Sequence, residues 1–131
     1  MDPLTCLAVA VFFETRGEPY QGKEAVANVI INRMLDKRYP NSVCGVVNEH
    51  KAFSYTHDGL HDDPTRHTGH QDKIAWVESQ EVAREALQGN TLGITSTHYH
   101  ANNVLPFWSN HYTKDGQIGD HIFYTNETPY K

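Results

Sequence analysis

A run of apolar residues from Leu4 to Phe13, closed by Glu14-Thr15-Arg16-Gly17-Glu18, constrains this chain more than any other feature. A helix over that run ends near Gly17, a residue suited to a helix stop, and so places Glu14 in its last turn. Unpaired carbonyls there carry partial negative charge and disfavour ionisation of a carboxylate. Burial against Phe12 and Phe13 pushes the same way, Glu18 adds like-charge repulsion if the helix reaches it, and Arg16 opposes both. Glu14 is therefore a candidate general acid, because proton donation at neutral pH needs a carboxyl pKa lifted from its usual range. The alternative is an acid that only pairs with Arg16 or Arg33.

The same run invites a reading as a secretory segment. Its flank holds Asp2 and no Lys or Arg, and no small-residue cleavage site follows, so the helix is preferred. Action outside the cytoplasm would then depend on a holin, a lysis event or a leader already removed. At 131 residues the chain suits one domain, 1–131, with one core. No stretch is long and apolar enough to span a bilayer. A net charge of −5, with 11 basic residues scattered among 16 acids, argues against a nucleic-acid partner. Cys6 and Cys44 are either one disulfide or two buried thiols, in no metal or redox spacing.

Further along, Ala25, Val26, Val29, Ile30 and Met34 recur at helical spacing and predict a helix over Lys23 to Lys37. A short helix is expected at Val43 to Val47. His50 to His70 lacks periodicity, is crowded with His and Asp, and reads as a long loop. Gln71 to Gln88 returns to helix, with Ile74, Val77, Ala83, Ala86 and Leu87 as the expected buried set and Gly89-Asn90 as its stop. Ile94 to His100 and Ile118 to Thr125 read as strands, with a turn at Gly116 between them. The fold class is α+β: mainly helical, with a small antiparallel sheet in the C-terminal half.

Several ordered segments resemble a known family. Glu14-Thr15-Arg16-Gly17-Glu18, Gly22 to Arg33, Tyr39-Pro40-Asn41-Ser42-Val43, Ala52-Phe53-Ser54, Thr97 to Ala101, Pro106-Phe107-Trp108 and Ile118 to Tyr124 are similar to the SleB-type cell-wall hydrolases, or spore cortex-lytic enzymes. The resemblance runs from about Leu4 to Tyr124. It departs at Ala52, where many members carry glutamine, and in the richness of His and Asp between His57 and His70. It implies a lysozyme-like fold akin to the soluble lytic transglycosylases. In that family the first glutamate of Glu-x-Arg-Gly-Glu is the catalytic acid, a position matched by Glu14, and Thr15 matches the small hydroxyl residue that follows it.

The implied partner is the glycan strand of peptidoglycan, cut at the β-1,4 bond between N-acetylmuramic acid and N-acetylglucosamine, by a monomer acting on the cell wall. No cofactor and no metal are implied. A lytic transglycosylase can manage with one carboxylate, since the sugar's own acetamido and C6 hydroxyl groups replace the second acid of other glycosidases. The candidate substrate contacts are Thr15, Glu18, Phe53, Tyr99, His100, Trp108 and His121, with Tyr124 as a further aromatic; aromatic faces and a few polar groups are what a saccharide cleft uses. For Glu18 the competing reading is an anchor for the turn into the next helix or a pair with Arg33.

Two other function classes stay open. His98, His100 and His121 are a possible zinc set, which would make a metal-dependent N-acetylmuramoyl-L-alanine amidase. A catalytically dead wall-binding module is the third.

Overall fold

A computed structural model describes residues 1–49 and 63–127. Its elements are α1 (Pro3–Glu14), α2 (Tyr20–Leu35), α3 (Val43–Val47), a 3-10 turn at Pro64–Arg66, α4 (His70–Leu87), β1 (His98–Ala101), a second 3-10 turn at Phe107–Asn110, β2 (Thr113–Ile118) and β3 (His121–Thr125).

Helix α1 begins where Asp2 accepts a hydrogen bond from the Thr5 amide at 2.7 Å, and Pro3 supplies a preset φ at the first position. Every residue from Cys6 to Phe12 is buried. A helix apolar on all sides needs neighbours on all sides, and α2, α3 and α4 surround this one. The opening apolar run is thus the central post of the core, which Phe12, Leu7, Val11, Ile30, Val26 and Phe123 fill.

Helix α2 buries Ala25, Val26, Val29 and Ile30 as expected. It also buries Asn28 and Arg33, which periodicity places on other sides. Their polar groups are spent on the segment that leads into β1. Asn28 Oδ1 accepts the Ile94 amide at 3.0 Å, Asn32 Nδ2 donates to the carbonyls of Ile94 and Ser96 at 2.8 Å each, and Arg33 Nε donates to the Thr97 carbonyl at 2.6 Å. The sheet is therefore strapped to α2 by side chains, and buried amides pair as they must.

On α4 the expectation holds for Ala83 and Ala86 and fails for the larger residues. Ile74, Val77 and Leu87 are exposed, whereas Ala75, Ser79, Val82, Ala83 and Ala86 are buried. The inward stripe is built from small residues, and Ser79 hides its hydroxyl on the Ala75 carbonyl at 2.7 Å. Small side chains let α4 lie close to α1 and α2, so packing overrides the pull of the larger apolar residues.

The three strands form an antiparallel sheet in the order β1-β3-β2. Gly116, expected at the turn, instead sits inside β2 where the register shifts between Lys114 and Gly116. Gly119, at φ +58°, makes the turn into β3. Register fixes the faces: Tyr99 opposes Phe123 and Ala101 opposes His121 on the side facing the helices, while His98 opposes Tyr124 and His100 opposes Ile122 on the other. Cys6 and Cys44 form a disulfide, with Cα atoms 5.3 Å apart, joining α1 to α3 and settling the choice left open by the sequence. Among the described residues no helix is long and apolar enough to cross a membrane.

Candidate active site

Glu14 is the last residue of α1, half-buried, and the Tyr99 hydroxyl from β1 donates a hydrogen bond to its Oε1. Burial raises its pKa; the Tyr99 bond and the Arg33 charge pull it back less strongly, so the net shift is upward. Arg16 does not pair with it but reaches Asp72 on α4 at 2.9 Å, its guanidinium lying over the Phe12 ring. A carboxyl group that prefers to keep its proton is thus held at a helix end by a phenol from the sheet.

The turn after α1 is held in three ways. Thr15 donates its amide to the Val11 carbonyl at 3.0 Å and its hydroxyl to the same oxygen at 2.6 Å. Thr15 is fully buried, so its hydroxyl completes the helix end and does not face a substrate, contrary to expectation. Gly17, at φ +82°, reverses the chain. The buried Lys23 then reaches back from α2, its Nζ donating to the Glu18 carbonyl at 2.9 Å and the Thr15 carbonyl at 3.4 Å. Burial lowers the Lys23 pKa, against the opposing charges of Glu78 and Glu18.

Glu18 does not pair with Arg33; it anchors the turn into α2, but to the β2–β3 turn. Its Oε1 accepts the Asp120 amide at 2.8 Å and lies 3.4 Å from His121 Nδ1, with side chains only 8% and 12% exposed respectively. The His121 ring meets Tyr99 edge-on at 5.0 Å, and Phe123 flanks the same tyrosine at 5.6 Å. Burial holds the His121 pKa down, against Glu18 and Asp120. Tyr99, His121, Glu18 and Glu14 therefore belong to one connected group.

His100 and Trp108 do not belong to it. His100 is buried on the outer face, with Nδ1 2.7 Å from the Ala101 carbonyl and Nε2 2.9 Å from the Tyr124 hydroxyl. A carbonyl only accepts, so Nδ1 carries a hydrogen, and Nε2 pairs with the Tyr124 hydroxyl. Both nitrogens are spent, which removes His100 as a sugar contact. Trp108 packs on that face too, 5.1 Å from His98, 5.6 Å from His100, 5.2 Å from Tyr124 and stacked on Tyr112 at 5.5 Å. The sheet separates Trp108 and the buried Tyr124 from the face that carries Tyr99. Phe53 lies outside the described residues, as do His57 and His61; His67 packs on Phe12 and Phe13 at 5.6 and 5.4 Å.

The zinc set fails on register. His98 and His100 point outward and His121 inward, so the three cannot converge on one ion. His98 is moreover driven to a pKa of about 4 by burial and by Arg33 and Arg38, which makes it a neutral packing group among Tyr39, Trp108 and Tyr112.

A family model described as Cell Wall Hydrolase matches residues 17–124. The chain belongs to this family. The chain is 33% identical over 126 residues to a spore cortex-lytic enzyme of Oceanobacillus iheyensis, a match covering 89% of this chain and 39% of that protein. With the spore cortex-lytic enzyme of Bacillus subtilis it shares 41% identity over 81 residues, 62% of this chain and 22% of that one. It thus spans well under half of these relatives. Among solved structures it is similar to the catalytic domain of the germination-specific lytic transglycosylase SleB from Bacillus anthracis, with TM-score 0.75, 30% identity, and coverage of 94% and 93%. The Bacillus cereus SleB catalytic domain matches with TM-score 0.75, 29% identity, and coverage of 94% and 89%.

Two residues that brace the site's surroundings, Lys23 at the post-α1 turn and Asn32 at the segment leading into β1, are not singled out from the sequence. Lys23 carries a signal: a lysine in the first turn of a helix opposes the dipole unless its ammonium is spent on nearby carbonyls, as here on those of Thr15 and Glu18. Asn32 carries none, because its partners lie 62 and 64 residues away.

Proposed function

We propose that this domain cleaves the β-1,4 bond between N-acetylmuramic acid and N-acetylglucosamine in peptidoglycan as a lytic transglycosylase, with Glu14 serving first as acid and then as base. The observation that carries the reading is the state of Glu14: a carboxyl group raised in pKa by burial and oriented by the Tyr99 hydroxyl at the end of a core helix. The likeness to SleB catalytic domains, one of them that of a germination-specific lytic transglycosylase, supports the same reaction.

Tyr99 occupies Oε1 and leaves Oε2 to meet the bridging oxygen. Glu14 gives its proton to that oxygen as the bond to C1 of the muramic acid breaks and the N-acetylglucosamine end departs as an alcohol. The neighbouring acetamido carbonyl of the substrate steadies the positive charge at C1. The Glu14 carboxylate then takes the proton of the C6 hydroxyl as O6 bonds to C1, giving a 1,6-anhydro end and returning Glu14 to its starting state without water. The Cys6–Cys44 disulfide suits work at the cell wall, an oxidising location.

The test is digestion of purified peptidoglycan followed by mass spectrometry of the muropeptides. Anhydro-muramic ends, lighter than reducing ends by one water, are expected from the natural protein and not from Glu14→Gln. Reducing muramic ends would replace this reading with hydrolysis, and released stem peptides with amidase action.

A further inference from the structure

Glu18 and His121 are held in a place where neither has an evident part in bond cleavage. The Glu18 carboxylate is nearly buried, with Oε1 taken by the Asp120 amide. His121 presents its ring edge to Tyr99 and its Nδ1 to Glu18. Gly119 gives an independent sign that this contact is built. A Cβ there would stand 2.6 Å from Glu18 Oε1 and 3.0 Å from Pro19 Cδ, and φ is +58°, so only glycine lets the β2–β3 turn press onto the carboxylate so closely.

Followed round, the contacts close on themselves. Glu14 leads through the turn to Glu18, which is itself gripped at its carbonyl by Lys23. Glu18 holds the Asp120 amide and lies 3.4 Å from His121 Nδ1, which makes no hydrogen bond among the described residues, His121 flanks Tyr99, and Tyr99 donates to Glu14. The acid comes from a helix and its hydrogen-bond donor from a sheet, and Glu18 is a second tie between the two.

We propose that Glu18 and His121 are positioning residues, a latch between the post-α1 turn and the β2–β3 turn that sets Tyr99 against Glu14; neither is a second catalytic carboxylate or a sugar contact. This rests on the reading of Glu14 as the acid. A displacement of 1 Å in such a pair is enough to cost about 100-fold in rate.

The test compares Glu18→Ala, Glu18→Gln and Gly119→Ala with the natural protein on solubilised, uncross-linked glycan strands, alongside hydrogen exchange at the Asp120 amide and thermal melting. Glu18→Ala is expected to lower kcat roughly 10- to 100-fold with KM little changed, and to speed exchange at Asp120. Glu18→Gln keeps an oxygen for the Asp120 amide and should stay within about threefold of natural kcat. Gly119→Ala breaks the latch from the other side with Glu18 intact, and should follow Glu18→Ala even if that variant fails to fold. Three results would each overturn the proposal: Glu18→Gln as inactive as Glu18→Ala with the Asp120 amide still protected, a rise in KM at constant kcat, or no change in any variant. Failure of the underlying reading shows separately, as activity in Glu14→Gln, while exchange at Asp120 still reports the latch.

Discussion

Opening the Cys6–Cys44 bond releases a constraint between positions 38 residues apart. Chain entropy for a loop of that length is worth about 4 kcal/mol at 25 °C. A domain of this kind is stable by about 5–15 kcal/mol in all, so reduction removes a quarter or more of the margin. Cys6 also sits in the core beside Leu7, which leaves the reduced chain with little slack where α1 meets α3. Urea titration followed by fluorescence of Trp76 and Trp108, with and without reductant, reads the loss directly. With a slope of about 2 kcal/mol per M the midpoint should fall by about 2 M. Activity should fall only in step with the unfolded fraction, because Glu14 lies at the far end of α1 from Cys6. Superimposable curves, or a loss under about 1 kcal/mol, would refute the account of the bridge as a constraint on the unfolded chain.

Glu14→Gln should lose at least about 100-fold in kcat, the lower range for general acid catalysis, and yet be more stable than the natural protein at pH 7. The sign follows from the raised pKa: folding favours the protonated acid, so stability falls as pH climbs from the ordinary glutamate value of 4.5 through the folded pKa, a loss that glutamine does not incur. Melting both proteins across pH should show the gap closing below pH 4.5. Tyr99→Phe removes a bond that favours ionised Glu14, so the alkaline limb of the pH–rate profile should move to higher pH while kcat falls about tenfold; a limb moving to lower pH contradicts the electrostatics. Lys23→Met leaves the Glu18 carbonyl without its ammonium donor and should cost about 1–3 kcal/mol in chemical denaturation.

What the sequence disclosed follows from the range of the interactions involved. The α1 run, the α2 periodicity and the place of Glu14 are local, and each is found where expected. The inward stripe of α4 was only half legible: Ala83 and Ala86 are buried as expected, but Ala75 and Ser79 signal burial only through the helices that approach them, and Ile74, Val77 and Leu87 are left outside. His100 fell on the other side because a strand assigned without its register has no fixed face, and Trp108, in the 3-10 turn after β1, packs on that same side. The pairing of His98 with Tyr124 decides that matter 26 residues away. Glu18 was singled out, but its partner at Asp120, 102 residues on, is invisible to any local pattern.

Strand β1 carries two trades on alternate residues, the contact with Glu14 at Tyr99 and masonry at His98 and His100, so its arithmetic of odd and even positions matters to both. Inserting or deleting one residue between Ile94 and His98 would leave a ladder able to zip yet deliver an imidazole to Glu14 and a phenol to the rear wall. In a lineage, length between Gly93 and Tyr99 should therefore be frozen even where the letters drift.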